Sequence, residues 1–282
     1  MTTRTNKTAF LGIHGTYSDM ACQAAFPGGQ TIPCASFEDA FDAVSSGEAD
    51  TAMIPIDNTL AGRVADVHNL LPRSDLHIID EHFQPVCHAL MGTKDAKISD
   101  IQHVHSHVHA IPQCRKIIRE HKFESHVHAD TASAAKYVSD IQDKTHAAIA
   151  SPLSAEIYGL KILAENVQDD NKNTTRFVIL SKTPDVPDFI EGGLFITSFF
   201  FTVRNIPASL YKCMGGFATN NVNMVKLESY VDKNFQAAQF YCDVEGHPDE
   251  TSLKLAMEEL GFFAKEVRIL GTYKAHPFRH ES

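Results

Sequence analysis

An alternation of strand-like and helix-like segments occurs twice in the first two thirds of the chain, and it limits the possible folds more than any other feature. The first copy runs from an apolar segment at Thr8–Ile13 to a short buried strand at Thr51–Ile56, with two helices between them. The second runs from Ile101–Val104, through two helices of which Thr131 caps the second, to Ala147–Ala150. Strands that alternate with helices form largely parallel sheets. The repeat therefore predicts an α/β fold with two lobes facing a cleft, where loops at strand ends bind ligands.

A different element order follows Thr183–Phe189, where two prolines in a polar setting predict a linker. Beyond it the pattern is βαββαβ, the order of a ferredoxin-like fold. Gly261 is expected to end the second helix of this region. In the first region, Ser36 and Gly47 are expected to begin and end a helix. The predicted organisation is a first domain over 8–182 with its second lobe at about 95–170, a linker over 183–193 and a small domain over 194–275.

The composition excludes several classes of protein. With 43% hydrophobic residues in 282, the chain has enough apolar side chains for a sizeable core, so it is not disordered. The net charge of −10 disfavours a nucleic-acid-binding protein, because phosphate contacts need a basic surface. No apolar stretch approaches the roughly 18 residues of a membrane span, and the N-terminus lacks a secretion signal. We therefore expect a cytoplasmic protein with reduced thiols and with neither nucleic-acid nor membrane partners.

Three polar clusters mark candidate ligand-binding loops. Gly15–Ser18 lies at a strand-to-helix turn, where free N–H groups favour a carboxylate or a phosphate. Asp57–Arg63 follows a buried strand, and its polar side chains could bind a ligand in the cleft. Asn171–Phe177 places two hydroxyls beside an arginine, a set that could bind an anion and deliver a proton. Each cluster taken alone is also compatible with ordinary turn and cap chemistry.

Taken together, these clusters resemble the prephenate dehydratase family over about residues 8–275. The motifs that carry the resemblance are Gly12–Ser18 (GIHGTYS), Pro55–Thr59 (PIDNT), Ser106-His107, Gln113-Cys114, Thr131–Ala135 (TASAA), Ala155–Leu160 (AEIYGL) and Thr175–Phe177 (TRF). The resemblance implies catalytic lobes like those of type II periplasmic binding proteins, followed by an ACT regulatory domain. It also implies decarboxylative dehydration of prephenate to phenylpyruvate in phenylalanine biosynthesis, with no metal and no organic cofactor.

The same resemblance implies the residues of the site. Thr175 is expected to be the essential hydroxyl, which donates to or orients the leaving oxygen. Arg176 is expected to lie near the dianionic substrate, or else to point into a contact between lobes, and Phe177 to pack the wall of the site. The expected substrate-binding residues are Thr16, Ser18, Asn58, Thr59, Ser106, His107, His109 and Thr131.

Three of the segments depart from the family motifs, at four positions in all. Ile13 stands where the opening motif has proline, and Asp57 stands where the second motif has glutamate. Val108-His109 replaces the P-Q of an S-H-P-Q segment. We expect His109 to face the cleft, to donate a hydrogen bond in place of the glutamine, and to make activity more dependent on pH.

A run of alternating histidines, His103, His105, His107 and His109, raises the question of a metal site. On one continuous strand these side chains would share a face. The family match ends the strand near Ser106 and begins a helix soon after, which would break the alternation. We therefore expect no functional metal and attribute any binding of nickel or zinc to adventitious contacts.

The C-terminal region has altered versions of the motifs that bind phenylalanine in related ACT domains. Pro207–Leu210 stands for P-G-A-L without its glycine. Leu227–Ser229, followed by Tyr230-Val231, stands for E-S-R-P without its Arg and Pro. The expected effector-binding residues are Pro207, Ala208, Ser209, Leu210, Asn223, Glu228 and Ser229. Phenylalanine is the expected effector, and the ACT and catalytic domains are expected to form a homodimer or homotetramer. The alternative is that this domain serves dimerisation alone.

Three other functions remain open at this point. An arogenate dehydratase differs in the side chain of its substrate, an amino acid in place of a keto acid. A non-aromatising prephenate decarboxylase would keep the hydroxyl and would not need Thr175. A non-catalytic sensor could use the same two-lobed cleft. With no mutase segment ahead of residue 8, the sequence reads as a stand-alone dehydratase.

Overall fold

A computed structural model describes residues 6–204, 206–231 and 237–280, without the side chains of 237 and 238. The chain divides into two compact units. The first unit holds the residues up to Val67 together with His82–Phe177, and the second holds His68–Glu81 together with the residues from Val178 onward. The sequence analysis assigns 68–81 to the first domain, whereas in the structure this segment belongs to the second unit.

Two arginines from the C-terminal part of the chain explain why 68–81 belongs to the second unit. The Arg268 guanidinium donates hydrogen bonds to the carbonyls of Pro72, at 2.8 Å, and Ser74. The Arg279 guanidinium forms a two-pronged ion pair with the buried carboxylate of Glu81, at 2.5 and 2.7 Å. Bidentate pairs of this kind are among the strongest charge-assisted hydrogen bonds. These partners lie about two hundred positions away along the chain, so the order of elements in the sequence does not reveal them.

The described residues form strands and helices in the alternating order that the sequence predicts. The strands are β1 (Lys7–Leu11), β2 (Gln30–Cys34), β3 (Thr51–Asn58), β4 (Gly62–Arg63), β5 (His77–Pro85), β6 (Ala89–Gly92), β7 (His103–His107), β8 (Glu124–His128), β9 (His146–Ala150), β10 (Lys161–Ala164), β11 (Thr174–Ser181), β12 (Phe195–Val203), β13 (Met224–Val231), β14 (Ala237–Glu245) and β15 (Ala264–Lys274). The helices are α1 (Tyr17–Ala25), α2 (Phe37–Ser46), α3 (Ala65–Leu70), α4 (Arg115–His121), α5 (Thr131–Ile141), α6 (Pro152–Tyr158), α7 (Ser209–Thr219) and α8 (Thr251–Phe263). None of these helices is both long and apolar enough to cross a membrane.

Two sheets correspond to the two copies of the repeat. One sheet has the strand order β2-β1-β3-β11-β5, with β4 paired to β3, and the other has the order β10-β6-β9-β7-β8. β1 is parallel to β2 and β3, and β7 is parallel to β8 and β9. β6 runs antiparallel to β9 and β10. The predicted α/β architecture is confirmed as a mixed-sheet fold, while the likeness of its lobes to periplasmic binding proteins stays a prediction.

The helix ends follow local capping chemistry. Ser36 Oγ accepts the backbone N–H of Asp39 at 3.0 Å, and Gly47 ends α2 with φ at +84°, so both predicted boundaries are confirmed. The sequence pattern predicts Thr131 as the N-cap of the helix in the second copy, and this prediction is wrong. In the structure the N-cap is Asp130, whose carboxylate accepts the backbone N–H of Ser133 at 2.7 Å. Thr131 is therefore the first residue inside α5, and its side chain is not used as a cap.

The second unit contains the predicted βαββαβ order, which runs from β12 to β15. Its four strands are antiparallel to their neighbours and lie in the order β13-β14-β12-β15. Two helices, α7 and α8, pack on the sheet around a core that includes Phe199, Phe217 and Leu260. The stretch between Ser181 and Phe195, where a linker is expected, contains neither helix nor strand. The sequence pattern also places Asp232-Lys-Asn234 between the two middle strands of this order, and these three positions lie outside the described residues.

The prediction that Gly261 ends the last helix is wrong. α8 continues through Gly261 to Phe263, and the Ala264 backbone N–H still donates to the Leu260 carbonyl. A glycine inside a helix costs about 1 kcal/mol relative to alanine, but it does not interrupt the hydrogen-bond ladder. Packing of the apolar face of α8, with Leu253, Ala256 and Leu260 fully buried, outweighs that cost.

A pair of glycine substitutions tests this account of the second unit. A Cβ added at Gly271 would lie 1.8 Å from the carbonyl oxygen of Ile78, whereas one added at Gly261 would meet nothing within 4 Å. We expect Gly271→Ala to lower the free energy of unfolding by about 3 kcal/mol or more, because the obstacle is backbone. Gly261→Ala should raise it by about 0.5–1 kcal/mol. Urea unfolding of both variants checks this, and a Gly271→Ala variant as stable as the wild type would contradict it.

Candidate active site

A cavity of about 150 Å³ lies in the first unit, at the point where loops from both sheets meet. We call it the Thr175 cavity. The residues that line its wall are Tyr17, Asn58, Ala61, Val86, His88, His107, His109, Ala110, Gln113, Thr131, Asn173 and Thr175. Asn58 ends β3 and Thr175 is the second residue of β11, both in the first sheet, whereas His107 ends β7 in the second. The cavity therefore lies at strand ends, where the repeat predicts a ligand site.

The Thr175 hydroxyl is held by the side-chain amide of Asn58. Asn58 Oδ1 accepts the backbone N–H groups of Leu60 and Ala61, at 2.9 and 2.8 Å. These two bonds fix the orientation of the amide, because only its oxygen can accept them. Its Nδ2 therefore faces Thr175 Oγ1 and donates to it at 2.9 Å. The threonine hydroxyl accepts this bond and keeps its own proton available for a further acceptor.

A chain of neutral polar groups continues from Asn58 across the wall. Asn58 Nδ2 also donates to Asn173 Oδ1 at 2.8 Å, and Asn173 Nδ2 donates to Gln113 Oε1 at 2.8 Å. The same Gln113 oxygen lies 3.2 Å from His88 Nε2, so that nitrogen carries a proton. The Tyr17 hydroxyl lies 2.8 Å from His88 Nδ1 and donates its proton to the Cys87 carbonyl at 2.7 Å. The network links the wall from Thr175 to Tyr17.

Burial keeps this network uncharged. Desolvation lowers the pKa of His88, because a buried imidazolium loses its hydration. Burial also raises the pKa of Tyr17 well above its usual range, with Cys114 and Cys87 adding to the shift. Desolvation, followed by repulsion from His109, lowers the pKa of His107. Among the described residues, the wall contains no carboxylate.

The structure brings four of the eight predicted substrate-binding residues into the wall, namely Asn58, His107, His109 and Thr131. His109 therefore faces the cavity, as the departure from the family motif suggests. Thr59 instead binds the backbone at the start of β11. Its hydroxyl donates to the Lys172 carbonyl and accepts the Thr174 N–H, both at 3.0 Å.

The other three predicted substrate-binding residues lie outside the wall. Thr16 is the N-cap of α1, where its hydroxyl accepts the Asp19 N–H at 3.3 Å. Ser106 is fully buried and donates to the Ile149 carbonyl at 2.6 Å. Ser18 lies in the first turn of α1 and is half-buried. Capping and core hydrogen bonds explain the placement of Thr16 and Ser106.

Strand alternation separates Arg176 from the hydroxyl that precedes it. Successive side chains of a strand point to opposite faces, so Thr175 and Arg176 cannot share one. Arg176 is buried with its Nη1 3.7 Å from Asp57 Oδ2, and its charge is balanced there. Phe177 is 1% exposed and lies in the core. Neither residue lines the cavity, contrary to the expectations that Arg176 lies near the substrate and that Phe177 packs the wall. Asp57, the partner of Arg176, belongs to a neighbouring strand of the same sheet, so this ion pair is not the alternative contact between lobes.

Sequence reasoning missed four polar residues of the wall: Tyr17, His88, Gln113 and Asn173. Tyr17, Gln113 and Asn173 lie inside segments that the motifs and clusters already mark. The sequence thus indicates these segments, but we expected other residues nearby to contact the substrate. His88 follows β5 in a stretch without any motif. Nothing in its local sequence distinguishes it from the other histidines of the chain.

The histidine run is more ordered than the sequence analysis predicts. β7 extends to His107 and the next α-helix begins at Arg115, so His103, His105 and His107 do share a face of the strand. Burial together with neighbouring histidines lowers the pKa of His105 to about 3. His109 lies beyond the strand, with its ring centroid 5.1 Å from that of His107. The alternation along β7 therefore continues through His107, and only His109 lies beyond the break.

The predicted effector residues fall in two places in the second unit. Pro207 and Ala208 precede α7, Ser209 and Leu210 begin it, and Glu228 and Ser229 lie on β13. Asn223 lies at the opposite end of the sheet, where its Nδ2 donates to Glu245 Oε2 at 2.9 Å and it lines a separate cavity of about 560 Å³. The structure therefore does not bring Asn223 together with the other candidates.

Comparisons with known proteins identify relatives of this chain. The family model described as prephenate dehydratase matches residues 8–185. The bifunctional N-acyl-homoserine lactone acylase/prephenate dehydratase of Komagataeibacter europaeus is 46% identical over 275 residues, which cover 97% of each chain. Arogenate dehydratase/prephenate dehydratase 1 of Arabidopsis thaliana is 38% identical over 95% of this chain and 71% of its own. The structure of the Arthrobacter aurescens prephenate dehydratase in complex with L-Phe superposes with a TM-score of 0.86 at 29% identity, covering 95% of this chain and 90% of that one.

The buried, neutral His88 predicts a pH dependence of stability. Its pKa is lower in the folded chain than the roughly 6.5 of an unfolded histidine, so below that pH the unfolded chain binds the proton first. The free energy of unfolding should fall from pH 7 to about pH 5. In His88→Gln the fall should be shallower than in the wild type, by up to about 1.4 kcal/mol per pH unit. The exposed His121 of α4 provides the control, since His121→Gln should keep the wild-type slope. Urea titrations at several pH values measure this, and equal slopes in His88→Gln and the wild type would contradict it.

Proposed function

Because the chain belongs to the prephenate dehydratase family, we propose that it catalyses the decarboxylative dehydration of prephenate to phenylpyruvate in the Thr175 cavity. As a member of this family, the chain is a hydro-lyase of aromatic amino acid biosynthesis. The observation that carries the proposal is the Thr175 hydroxyl, oriented by Asn58 so that its proton remains free to meet a ligand.

The reaction needs a proton more than it needs a base. As the bond from the ring to its carboxylate breaks, that electron pair enters the ring and the C4–O bond releases hydroxide. Prephenate dianion and one proton thus give phenylpyruvate, carbon dioxide and water. Hydroxide is a poor leaving group, so a hydroxyl that donates to the departing oxygen speeds this step, with contributions of about 10²–10⁴-fold typical for general acids. Threonine is a weak acid, and a fixed orientation of its dipole contributes alongside proton transfer.

The wall supports binding of an anion although the chain is acidic overall. It contains no carboxylate among the described residues, and it includes His107, His109 and the first residue of α5, Thr131. The N-terminus of α5 carries a partial positive charge, of which the capping carboxylate of Asp130 offsets a part. Arg176 has a different role in this proposal: paired with Asp57 at the end of β3, it fixes the start of β11 and so the position of Thr175.

Arogenate is the alternative substrate, because several relatives carry the name arogenate dehydratase, including two enzymes of Petunia hybrida. Arogenate has an amino group where prephenate has a keto oxygen, so the two compounds share the ring, its hydroxyl and its carboxylate. The network around Thr175 serves the shared part of the molecule. The comparison of rates on both substrates therefore belongs in the same experiment.

A second activity is favoured by the identity of 46% to a relative that is named as a bifunctional N-acyl-homoserine lactone acylase as well as a dehydratase. The match covers 97% of both chains, so the whole fold is shared. The corresponding assay is the release of free fatty acid from an N-acyl-homoserine lactone by the purified chain.

We further propose that the ferredoxin-like part of the second unit is an ACT domain that binds phenylalanine, that this binding inhibits the dehydratase, and that the domain joins chains into a homodimer or homotetramer. Ala208 occupies the glycine position of the P-G-A-L motif, and its φ of +61° is the left-handed conformation that glycine favours. The loop thus keeps the backbone shape of the motif without its glycine. The Arthrobacter aurescens relative has L-Phe bound.

The Thr175 hydroxyl is tested by Thr175→Ala, with Thr175→Ser as the matched control. On prephenate we expect the alanine variant to lose about 10²–10⁴-fold in kcat, because the polar donor is gone, while serine retains most of the rate. Phenylpyruvate formation from prephenate and phenylalanine formation from arogenate are measured side by side for all three proteins. Unchanged activity in Thr175→Ala would remove the role of the hydroxyl, and a wild type inactive on both substrates would overturn the proposed reaction.

The separation of the effector candidates gives a second prediction. Phenylalanine should lower the dehydratase rate, and Glu228→Gln should weaken that inhibition because it removes the carboxylate of the altered E-S-R-P motif itself. Asn223→Ala, at the other end of the sheet, should leave the inhibition constant unchanged. Rates at increasing phenylalanine concentration provide the measurement. If Asn223→Ala weakened inhibition and Glu228→Gln did not, the effector site would be the 560 Å³ cavity instead.

A further inference from the structure

Histidines from three adjacent strands gather on one face of the second sheet, well away from Thr175. In the parallel register His103 is level with Glu124 of β8 and with His146 of β9, and His105 is level with His126. The residues between them face the other way, and Val104 and Ala147 lie in an apolar core there. The shared register thus places imidazoles and a carboxylate in one row across β8, β7 and β9.

Three donor atoms of this row meet at its solvent-facing end. His103 Nδ1 lies 3.1 Å from His126 Nε2, and Glu124 carboxylate oxygens lie 3.4 Å from His103 Nδ1 and 3.8 Å from His126 Nε2. Four ligands around zinc at bond lengths of about 2.0–2.1 Å are separated by about 3.3 Å from one another. The three separations bracket that value, so one ion fits between the atoms with a small adjustment of the Glu124 side chain.

A hydrogen bond between two imidazoles explains part of this geometry but not all of it. One neutral ring can donate N–H to the other at 3.1 Å, and His105 pairs with His128 in the same way at 2.9 Å. That pairing gives no reason for a carboxylate within 4 Å of both nitrogens of the first pair. Among the described residues, His103, Glu124 and His126 are the single group of three or more His, Cys, Asp or Glu side chains whose donor atoms all lie within 4.8 Å of one another.

Neighbouring rings hold the two histidines in position. His146 stacks on His103 with centroids 4.6 Å apart, and His105 stacks on His126 at 4.8 Å. The side chains of His103 and His126 are 29% and 37% exposed, so solvent reaches the donor atoms while the rings are confined. Ligands that are already ordered lose less conformational entropy when an ion binds.

We propose that His103 Nδ1, His126 Nε2 and the Glu124 carboxylate bind one Zn²⁺ ion, with water as the fourth ligand. Two imidazoles and a carboxylate form a ligand set that zinc accepts, whereas Mg²⁺ and Ca²⁺ prefer oxygen ligands throughout. The ion joins β7 to β8, which is the edge strand of its sheet, and so stabilises that edge. It takes no part in dehydration, because His107, the cavity residue of β7, lies four positions along the strand, about 13 Å away.

The test uses the full-length chain, purified without a histidine tag and stripped of metal. Titration calorimetry with ZnCl₂ should give one ion per chain with a dissociation constant in the micromolar range or tighter, and Co²⁺ at the same site should show the visible absorption of a tetrahedral complex.

His126→Gln should weaken binding by at least about 100-fold, because even changes behind the ligands cost 10–100-fold. Glu124→Gln should weaken it at least tenfold on the same ground. At a free zinc concentration of about 100 times the dissociation constant, zinc should raise the ratio of folded to unfolded wild-type chain about 100-fold. This stabilisation is measured as a rise in Tm.

His121→Gln provides the matched control, because it removes an exposed histidine of α4 outside the row and should leave zinc binding unchanged. The metal-free melting temperature of each variant verifies that it folds. Zinc affinity that is unchanged in His126→Gln overturns the proposal, as does wild-type binding in the range of hundreds of micromolar, which would be adventitious. Loss of binding in His128→Gln with full binding in His126→Gln would also overturn it and would assign the ion to the His105 pair.

Discussion

The orientation of one side-chain amide determines most of the geometry around the candidate active site. Asn58 Oδ1 accepts two backbone N–H groups of its own turn, at 2.9 and 2.8 Å, and this leaves Nδ2 to face Thr175 and Asn173. The turn after β3, the start of β11 and the polar wall beyond it are therefore fixed by a single planar group. Because an amide has distinct donor and acceptor ends, the arrangement cannot reverse without losing several hydrogen bonds at once. This constraint presents the Thr175 hydroxyl as an acceptor to Asn58 and as a donor to the cavity.

The distribution of charge explains how an acidic chain can bind an anionic substrate. The net charge of −10 belongs to the chain as a whole, whereas the wall of the Thr175 cavity has no carboxylate among its described residues. Arg176, the cation nearest to Thr175 in sequence, is paired with Asp57 and stabilises the strands instead. Binding at the wall then depends on uncharged hydrogen-bond donors such as the Thr175 hydroxyl and the His107 imidazole. A neutral network beside these groups adds polarity without adding a competing charge.

The sequence predicts the element order well, because hydrophobic periodicity and capping residues are local signals. Ser36 and Gly47 mark α2 correctly, and the βαββαβ order of the second unit follows from pattern alone. Gly261 shows the limit of such signals, since tertiary packing of α8 overrides the glycine. The place of 68–81 in the second unit depends on Arg268 and Arg279, which no local pattern connects to it.

The motifs predict which segments form the site, but they do not predict which side chains contact one another there. Alternation along β11 already separates Thr175 from Arg176, and this elementary rule corrects what the resemblance alone implies. The partners of His88 come from three distant segments, so its role becomes visible only in the fold. The histidine row has the same origin, because the register of β8 and β9 against β7 brings its members together.

The measurement that tests the central claim most directly is a double-mutant cycle on kcat/KM for prephenate, with Asn58→Ala, Thr175→Ala and the double variant. If Asn58 acts by orienting the Thr175 hydroxyl, it has nothing left to orient once that hydroxyl is gone. The double variant should then be about as slow as Thr175→Ala alone. Losses that multiply, so that the double variant is slower by the product of the two single effects, would contradict the account.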